Sequence, residues 1–266
     1  MSSDPIASPT HSIMDRLRLD GRVALVTGAG QGIGRAFCHA LGEAGARVLV
    51  VDIEGARAET VAKELATKGV QASVCIADIT DPLAVQEMVS EAVEKWGKLD
   101  IAVNNAGINF NSAAEETSLA EWDRTFAVNL RGLFVCCQAE ARIMLGTGYG
   151  KIINTASMSS LIVPHPQKQA AYNVSKAGVA HLTRSLATEW ASRGVRVNAI
   201  SPGLVRTDLL QQAALRPLVA QWMPQIPAGC LAEVSDLQGA IIYLASGASD
   251  YMTGHNLVID GGMTLW

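Results

Sequence analysis

The stretch that most constrains this chain lies near its start. Arg22 to Thr27 (RVALVT) is a short apolar run that breaks into Gly28-Ala29-Gly30-Gln31-Gly32-Ile33-Gly34. Ile33, Phe37, Leu41 and Ala44 then recur at helical intervals, Gly45 closes the segment, and Arg47 to Asp52 (RVLVVD) is a second apolar run. Strand, glycine loop, helix and strand make a βαβ unit. Free backbone N–H groups and the positive end of the helix dipole then meet at the loop, where a pyrophosphate can bind. The spacing is T-G-x-x-x-G-x-G, because Ile33 stands where G-x-G-x-x-G wants its last glycine. A tight strand-to-helix turn alone would look similar, but the acidic Asp52 closing the second strand points to a dinucleotide. Its carboxylate suits the ribose hydroxyls of NAD and repels the 2′-phosphate of NADP. Neutral Gln31 offers that phosphate no counter-charge, whereas Arg35 and Arg57 lie close enough in sequence to supply one.

The alternation continues with a helix over 56–68, a strand over 72–77, a helix over 82–96 and a strand over 99–103, which implies a parallel sheet of α/β class. The chain has 266 residues, 49% hydrophobic and 17% charged, enough for one large domain whose sheet is buried on both faces. Residues 1–18 read as a loose tail and 19–266 as the domain, with neither signal peptide nor membrane anchor, so a cytoplasmic protein is expected. A net charge of −4 without a basic run argues against a nucleic-acid partner. Cys38, Cys75, Cys136, Cys137 and Cys230 have no disulfide or zinc spacing and read as small buried hydrophobes; no metal is expected.

The chemistry concentrates later. Tyr172 and Lys176 stand four apart on a predicted helix over 171–192 and share a face, so the ammonium should lower the phenol's pKa toward that of a usable base. Ser157 and Ser159 follow a strand over 151–155, fifteen and thirteen residues before Tyr172, and either hydroxyl could reach a reacting carbonyl. No G-x-S-x-G elbow surrounds them, and neither His165 nor His181 is placed as in a hydrolase. Asp78, just past a strand, either bonds an adenine or caps the turn Thr80-Asp81-Pro82. Asn104-Asn105-Ala106-Gly107 is an ordinary turn by composition but lies at the sheet edge beside the glycine loop. Asn129, between helices over 119–128 and 133–145, either bonds backbone at a helix break or holds a water. Val179, Leu182, Leu186 and Trp190 form an apolar face on the long helix that suits a partner subunit or a buried helix, and Trp266 is expected to pack on something. Residues 204–229, with Pro217, Pro224, Pro227, Trp222 and Met223, read as a substrate lid.

Thr27-Gly28-x3-Gly32-Ile33-Gly34, Asn104-Asn105-Ala106-Gly107, Asn129, Ser157, Tyr172-x3-Lys176 and Pro202-Gly203-x3-Thr207 stand in one order. Together they resemble the short-chain dehydrogenase/reductase family over nearly the whole chain, from Leu19 to Trp266. The resemblance implies a Rossmann-type, doubly wound parallel sheet of seven strands in a single domain, and a homotetramer. It implies Tyr172 as general acid/base, Lys176 as the residue that lowers its pKa and holds the nicotinamide ribose, Ser157 as the group polarising the substrate oxygen and Asn129 as a relay member. Gly28, Gln31, Gly32, Ile33, Gly34, Asp52, Asp78, Asn105, Ala106, Gly107, Pro202, Gly203, Val205 and Thr207 would hold the dinucleotide. The Ser157 to Tyr172 interval exceeds the family's usual one, which Ser159 would satisfy, yet Ser157 follows the strand at the family's position. Ser157-Met158-Ser159, Pro166-Gln167 and the Gly261-Gly262-Met263-Thr264-Leu265-Trp266 ending are similar to a subgroup acting on sugars and polyols. That likeness implies NAD-dependent polyol oxidation with Asn109, Ser159, Gln167 and Trp222 around the substrate. An acyl-thioester or steroid-type ketone reductase is the rival on the same residues, and a non-catalytic NAD-binding regulator the remote one.

Overall fold

The computed structural model describes residues 12–207, 210 and 215–265. Seven strands form one sheet: β1 (Val23–Thr27), β2 (Arg47–Asp52), β3 (Ala72–Ile76), β4 (Ile101–Asn104), β5 (Gly150–Thr155), β6 (Val195–Pro202) and β7 (Asn256–Ile259). Their order is β3-β2-β1-β4-β5-β6-β7 and every neighbouring pair is parallel, the doubly wound Rossmann-type arrangement expected. The order reverses between β1 and β4, which opens a crevice at the carboxyl ends of those strands.

Alternate strand residues feed two cores. Leu25, Leu49, Val51, Ala102, Ile152 and Val197 face one side, where α4 (Pro82–Trp96), α6 (Leu133–Thr147) and α7 (Ala170–Trp190) pack. Ala24, Val26, Val48, Val50, Ile101 and Ile153 face the other, against α2 (Gly32–Glu43), α3 (Gly55–Thr67) and α8 (Gln238–Ala245). Continuous burial along β1 follows from this, since neither face meets water. The start of α4 is fixed by Asp81, whose side chain accepts from Leu83 N, and its end by Gly97 in the left-handed region.

Two expectations are corrected, and one left open is decided. Part of the expected loose tail is helical: α1 (Ile13–Leu17) begins in a capping box between Ser12 and Asp15, and Arg16 Nη2 donates to Gly247 O at 2.6 Å. Residues 1–11 and Trp266 lie outside the described residues. Of the two readings of the α7 face, the buried helix holds for Val179, Leu186 and Trp190, which lie in the domain's own core; Leu182 is only partly buried. Cys230 is exposed, unlike the other four cysteines.

No helix break occurs at Asn129. α5 (Leu119–Phe126), capped by Ser118 and Glu121, runs through a π-helical turn, Ala127–Gly132, straight into α6. A π-turn inserts a residue and so redirects the side chains around it. Gly132 lets this segment approach its neighbours, because a Cβ there would stand 3.0 Å from both the Ala127 and the Ile79 carbonyl oxygens. Gly132→Val is therefore expected to destabilise the fold by about 1–3 kcal/mol, read from the midpoint of urea unfolding.

Candidate active site

The crevice at the strand reversal is a cleft of about 450 Å³ lined by Gly28, Gln31, Gly32, Ile33, Asp52, Asp78, Asn105, Ala106, Gly107 and Thr207, all expected site residues, together with Arg57 and Arg124. Gly28 has φ +60°, and a Cβ on it would meet Ala106 Cα at 2.8 Å, so the two turns touch through a glycine. Gly34 sits deeper: its absent Cβ lets the Gly28 carbonyl lie against α2. Thr27, which the sequence reading used only as a motif letter, joins the turns, its hydroxyl accepting from Asn105 N at 3.0 Å and Ala106 N at 3.2 Å. Asn105 donates its side chain back to the Thr27 and Gly28 carbonyls.

The cleft has the chemistry a dinucleotide needs. The N-cap of α2, Gln31, makes no side-chain cap, which leaves the first helical N–H groups for an anion. Asp52 ends β2 with Oδ2 accepting from Gly30 N at 2.8 Å and Oδ1 from Glu54 N at 3.0 Å, so the carboxylate is held still at the cleft wall. Of the two arginines considered near it, Arg35 pairs with Glu64, while Arg57 donates to Gln31 Oε1 at 2.9 Å and borders the cleft. Asp78 caps its own turn by accepting from the Thr80 N and Oγ1; burial raises its pKa, yet these bonds and Arg124 carry it below the usual value. Gly203, whose Cβ would meet Asp260 Cα at 2.6 Å, follows Pro202 at the end of β6. Val205 is buried in the core on the α2 side, so its side chain is structural.

At the inner end of the cleft the structure brings Asn129, Ser157, Tyr172 and Lys176 together. Cβ on Gly107 would lie 3.3 Å from Asn129 Oδ1 and 3.4 Å from Lys176 Nζ, so those two groups flank the turn. Asn129 clamps Ile108 by accepting from its N at 2.8 Å and donating to its O at 2.9 Å, and also donates to Ser175 Oγ at 3.1 Å. Ser175 Oγ in turn donates to Tyr172 O at 2.7 Å. Bonding backbone, the first reading of this asparagine, is therefore what its side chain does.

The expected lowering of the Tyr172 pKa is corrected. Burial raises it, and the hydrogen bond with Ser157 only partly offsets that. Lys176 makes its hydrogen bond elsewhere: its Nζ lies 5.7 Å from the Tyr172 ring centroid and donates to the Thr155 carbonyl at 2.7 Å. Burial brings the lysine itself down to about 8. Both groups of the pair are thus held toward their neutral forms by the same desolvation.

Beside Tyr172 a polar set gathers on Gln169, which the sequence reading missed. Gln169 is buried at the N-cap of α7, accepts from Asn109 Nδ2 at 2.9 Å, and donates to Ser159 Oγ at 3.3 Å and Asn173 Oδ1 at 2.9 Å. Gln167 instead accepts from Trp222 Nε1 at 2.7 Å. Trp222 lies in a satellite core with Met158, Ile226, Leu231 and Met263, against which Leu210 and Met223 also pack. Its indole is occupied by Gln167 and this cluster.

The profile of the enoyl-(acyl carrier protein) reductase family matches residues 28–264. The chain is 43% identical over 250 residues to galactitol 2-dehydrogenase (L-tagatose-forming) of Cereibacter sphaeroides, covering 94% of this chain and 97% of that one. It is 37% identical to a probable NADP-dependent mannitol dehydrogenase of Yarrowia lipolytica, over 97% of this chain and 93% of the relative. A crystal structure of a short-chain type dehydrogenase/reductase from Mycobacterium marinum superposes with a TM-score of 0.92 at 42% identity, covering 95% and 99% of the two chains.

Because the Ser157 hydrogen bond lowers the phenol's pKa, Ser157→Ala should move Tyr172 ionisation to higher pH. The check is an ultraviolet phenolate titration with Tyr172→Phe subtracted.

Proposed function

Since the chain belongs to the short-chain dehydrogenase/reductase family, we propose that this oxidoreductase interconverts a secondary alcohol of a polyol or sugar alcohol with the corresponding ketose, using NAD. The observation that carries the substrate class is the polar set Asn109–Gln169–Ser159 beside Tyr172, combined with the inward turn of the apolar lid residues Trp222, Met223 and Leu210 into the satellite core. A hydroxylated substrate finds partners there, whereas an acyl or steroid chain would have to displace that core. The name of the galactitol relative supports the same class. Residues 204–229 are the segment we assign as the lid.

The dinucleotide, when bound, supplies the hydride acceptor for oxidation and the donor for reduction. The N–H groups at the start of α2 would meet its pyrophosphate, and Asp52 its adenosine ribose. Thr207, with backbone near Pro202 and Gly203, would hold its carboxamide end, and Lys176 its nicotinamide ribose. Tyr172 as phenolate takes the substrate's hydroxyl proton in oxidation and returns it to the ketone oxygen in reduction. Ser157, bonded to that phenol, orients the same oxygen. Lys176, with its pKa near 8, stabilises the phenolate as an ammonium and can exchange a proton close to neutral pH. Asn129 keeps the Gly107–Ile108 backbone in place beneath these groups. The anionic Asp52, held by two backbone N–H groups, supports NAD over NADP, although Arg57 borders the same cleft.

Purified protein is expected to reduce NAD with C3 to C6 polyols faster than with apolar alcohols, and faster than NADP with the same polyols. Tyr172→Phe should bind NADH normally and lose about 10²–10⁴-fold in turnover. Activity confined to apolar ketones or thioesters would overturn the substrate class.

A homotetramer in the cytoplasm belongs to the same proposal. An apolar groove of about 700 Å³ between the α5–α6 segment and α7, lined by Phe126, Leu130, Phe134 and Leu182, supports the assembly. The five free cysteines support a reducing compartment. Light scattering should give four subunits for the native chain and fewer for Phe134→Glu.

A further inference from the structure

Behind the catalytic edge, in the core between the sheet and α6, lies a second polar cluster that the chemistry above does not use. Glu140 on α6 is fully buried and meets no cation among the described ion pairs. Asn104 Nδ2 donates to Glu140 Oε2 at 3.0 Å and to Asn154 Oδ1 at 3.2 Å, and lies 3.4 Å from Cys137 Sγ. Asn154 Nδ2 donates to Thr183 Oγ1 at 3.1 Å, which donates to Val179 O at 2.9 Å. Two buried atoms in this cluster have no partner, Glu140 Oε1 and Asn104 Oδ1. The amide oxygen can only accept, and so can both oxygens of a carboxylate, whereas a carboxylic acid carries one O–H to donate. A single proton on Oε1 answers both atoms, because an acid and a primary amide are complementary through two opposed hydrogen bonds. Without that proton the carboxylate would bear an uncompensated desolvation cost.

We propose that Glu140 is held as the neutral acid, with Oε1–H donating to Asn104 Oδ1 while Asn104 Nδ2 donates to Oε2, and that this acid–amide pair positions the turn Asn105–Gly107. Asn104 is the last residue of β4, and the next residue ties that turn to Thr27 and Gly28. Asn154 precedes Thr155, whose carbonyl holds Lys176, and Thr183 belongs to the helix that carries Tyr172. The cluster therefore connects three elements that build the site.

Burial pushes the Glu140 pKa up to about 8. The titratable groups that sense it are the Cys136 and Cys137 thiols of its own helix, themselves pushed well up by burial and then by Glu140. β4 and β5 present the amides Asn104 and Asn154, α7 presents the Thr183 hydroxyl, and α4 contributes apolar Val85, Met88, Val89 and Ala92 to the same core. A raised folded-state pKa means the folded state binds more protons, so stability is fully present below the unfolded value and is lost as pH rises toward 8.

The test is urea unfolding of the full chain from about pH 5 to about pH 9, for wild type, Glu140→Gln and Glu140→Leu. Glutamine keeps the donor and acceptor pattern and cannot ionise, so Glu140→Gln should gain on wild type with rising pH, up to roughly tenfold in the folding constant per pH unit. Glu140→Leu, which cannot ionise either, should be weaker than Glu140→Gln at every pH and should bind NADH at least about tenfold more weakly than wild type, a binding defect absent from Glu140→Gln. A protonated-carboxyl infrared band present in wild type and lost in Glu140→Gln completes the expected result. Parallel pH curves, or no such band, would overturn the neutral acid. Glu140→Leu binding NADH as tightly as wild type would overturn the positioning role. The NADH arm rests on the dinucleotide reading, whose own failure would appear as wild type not binding NADH.

Discussion

The Thr27 hydroxyl accepts two backbone N–H groups from the turn after β4, and the working geometry of the molecule depends on this junction. Parallel strands deliver their carboxyl ends to one edge, but they do not by themselves set the distance between the two turns that leave it. Thr27 does so from β1, Asn105 answers from the other side, and Gly28 removes the Cβ that would hold them apart. The cleft is a consequence of two turns locked at contact distance, with the glycine loop on one wall and Gly107, flanked by Asn129 and Lys176, on the other.

Desolvation is the common currency of the inner site. Lys176 and Glu140 are buried and Tyr172 is partly buried, and in each desolvation favours the neutral form. What separates them is the hydrogen bonding around them. Tyr172 has the Ser157 hydroxyl, Lys176 the Thr155 carbonyl and Glu140 the Asn104 amide. A phenol pushed up beside an ammonium pushed down differs from a phenol acidified by a solvated cation.

Much of this was readable in the chain. The strand–glycine–helix–strand start, the parallel alternation and the order of motifs all depend on local periodicity, which one sequence displays. Asn129, Ser157, Tyr172 and Lys176 could be named from residue type and order, and the structure brings them to one place. What escaped depends on contacts between distant segments. Nothing local says that Lys176 bonds the Thr155 carbonyl or that Gln169, not its neighbour Gln167, turns toward Ser159. The burial of Val179, Leu186 and Trp190 in their own core followed from the sheet behind them, which periodicity alone does not reveal. The helix Ile13–Leu17 could have been found, because Ser12 and Asp15 spell a capping box.

The π-turn at Ala127–Gly132 has an implication beyond placing Asn129. One residue of an α-helix corresponds to about 100° of rotation. The inserted residue therefore offsets the phase between α5 and α6, and the apolar stripe that packs α6 against the sheet is in register only because of that offset. Shortening this segment by one residue would rotate Cys136, Glu140 and Met144 off the core together while removing the π-turn that holds Asn129. Within a helix that otherwise looks uniform, chain length here is as much a determinant of the site as residue identity.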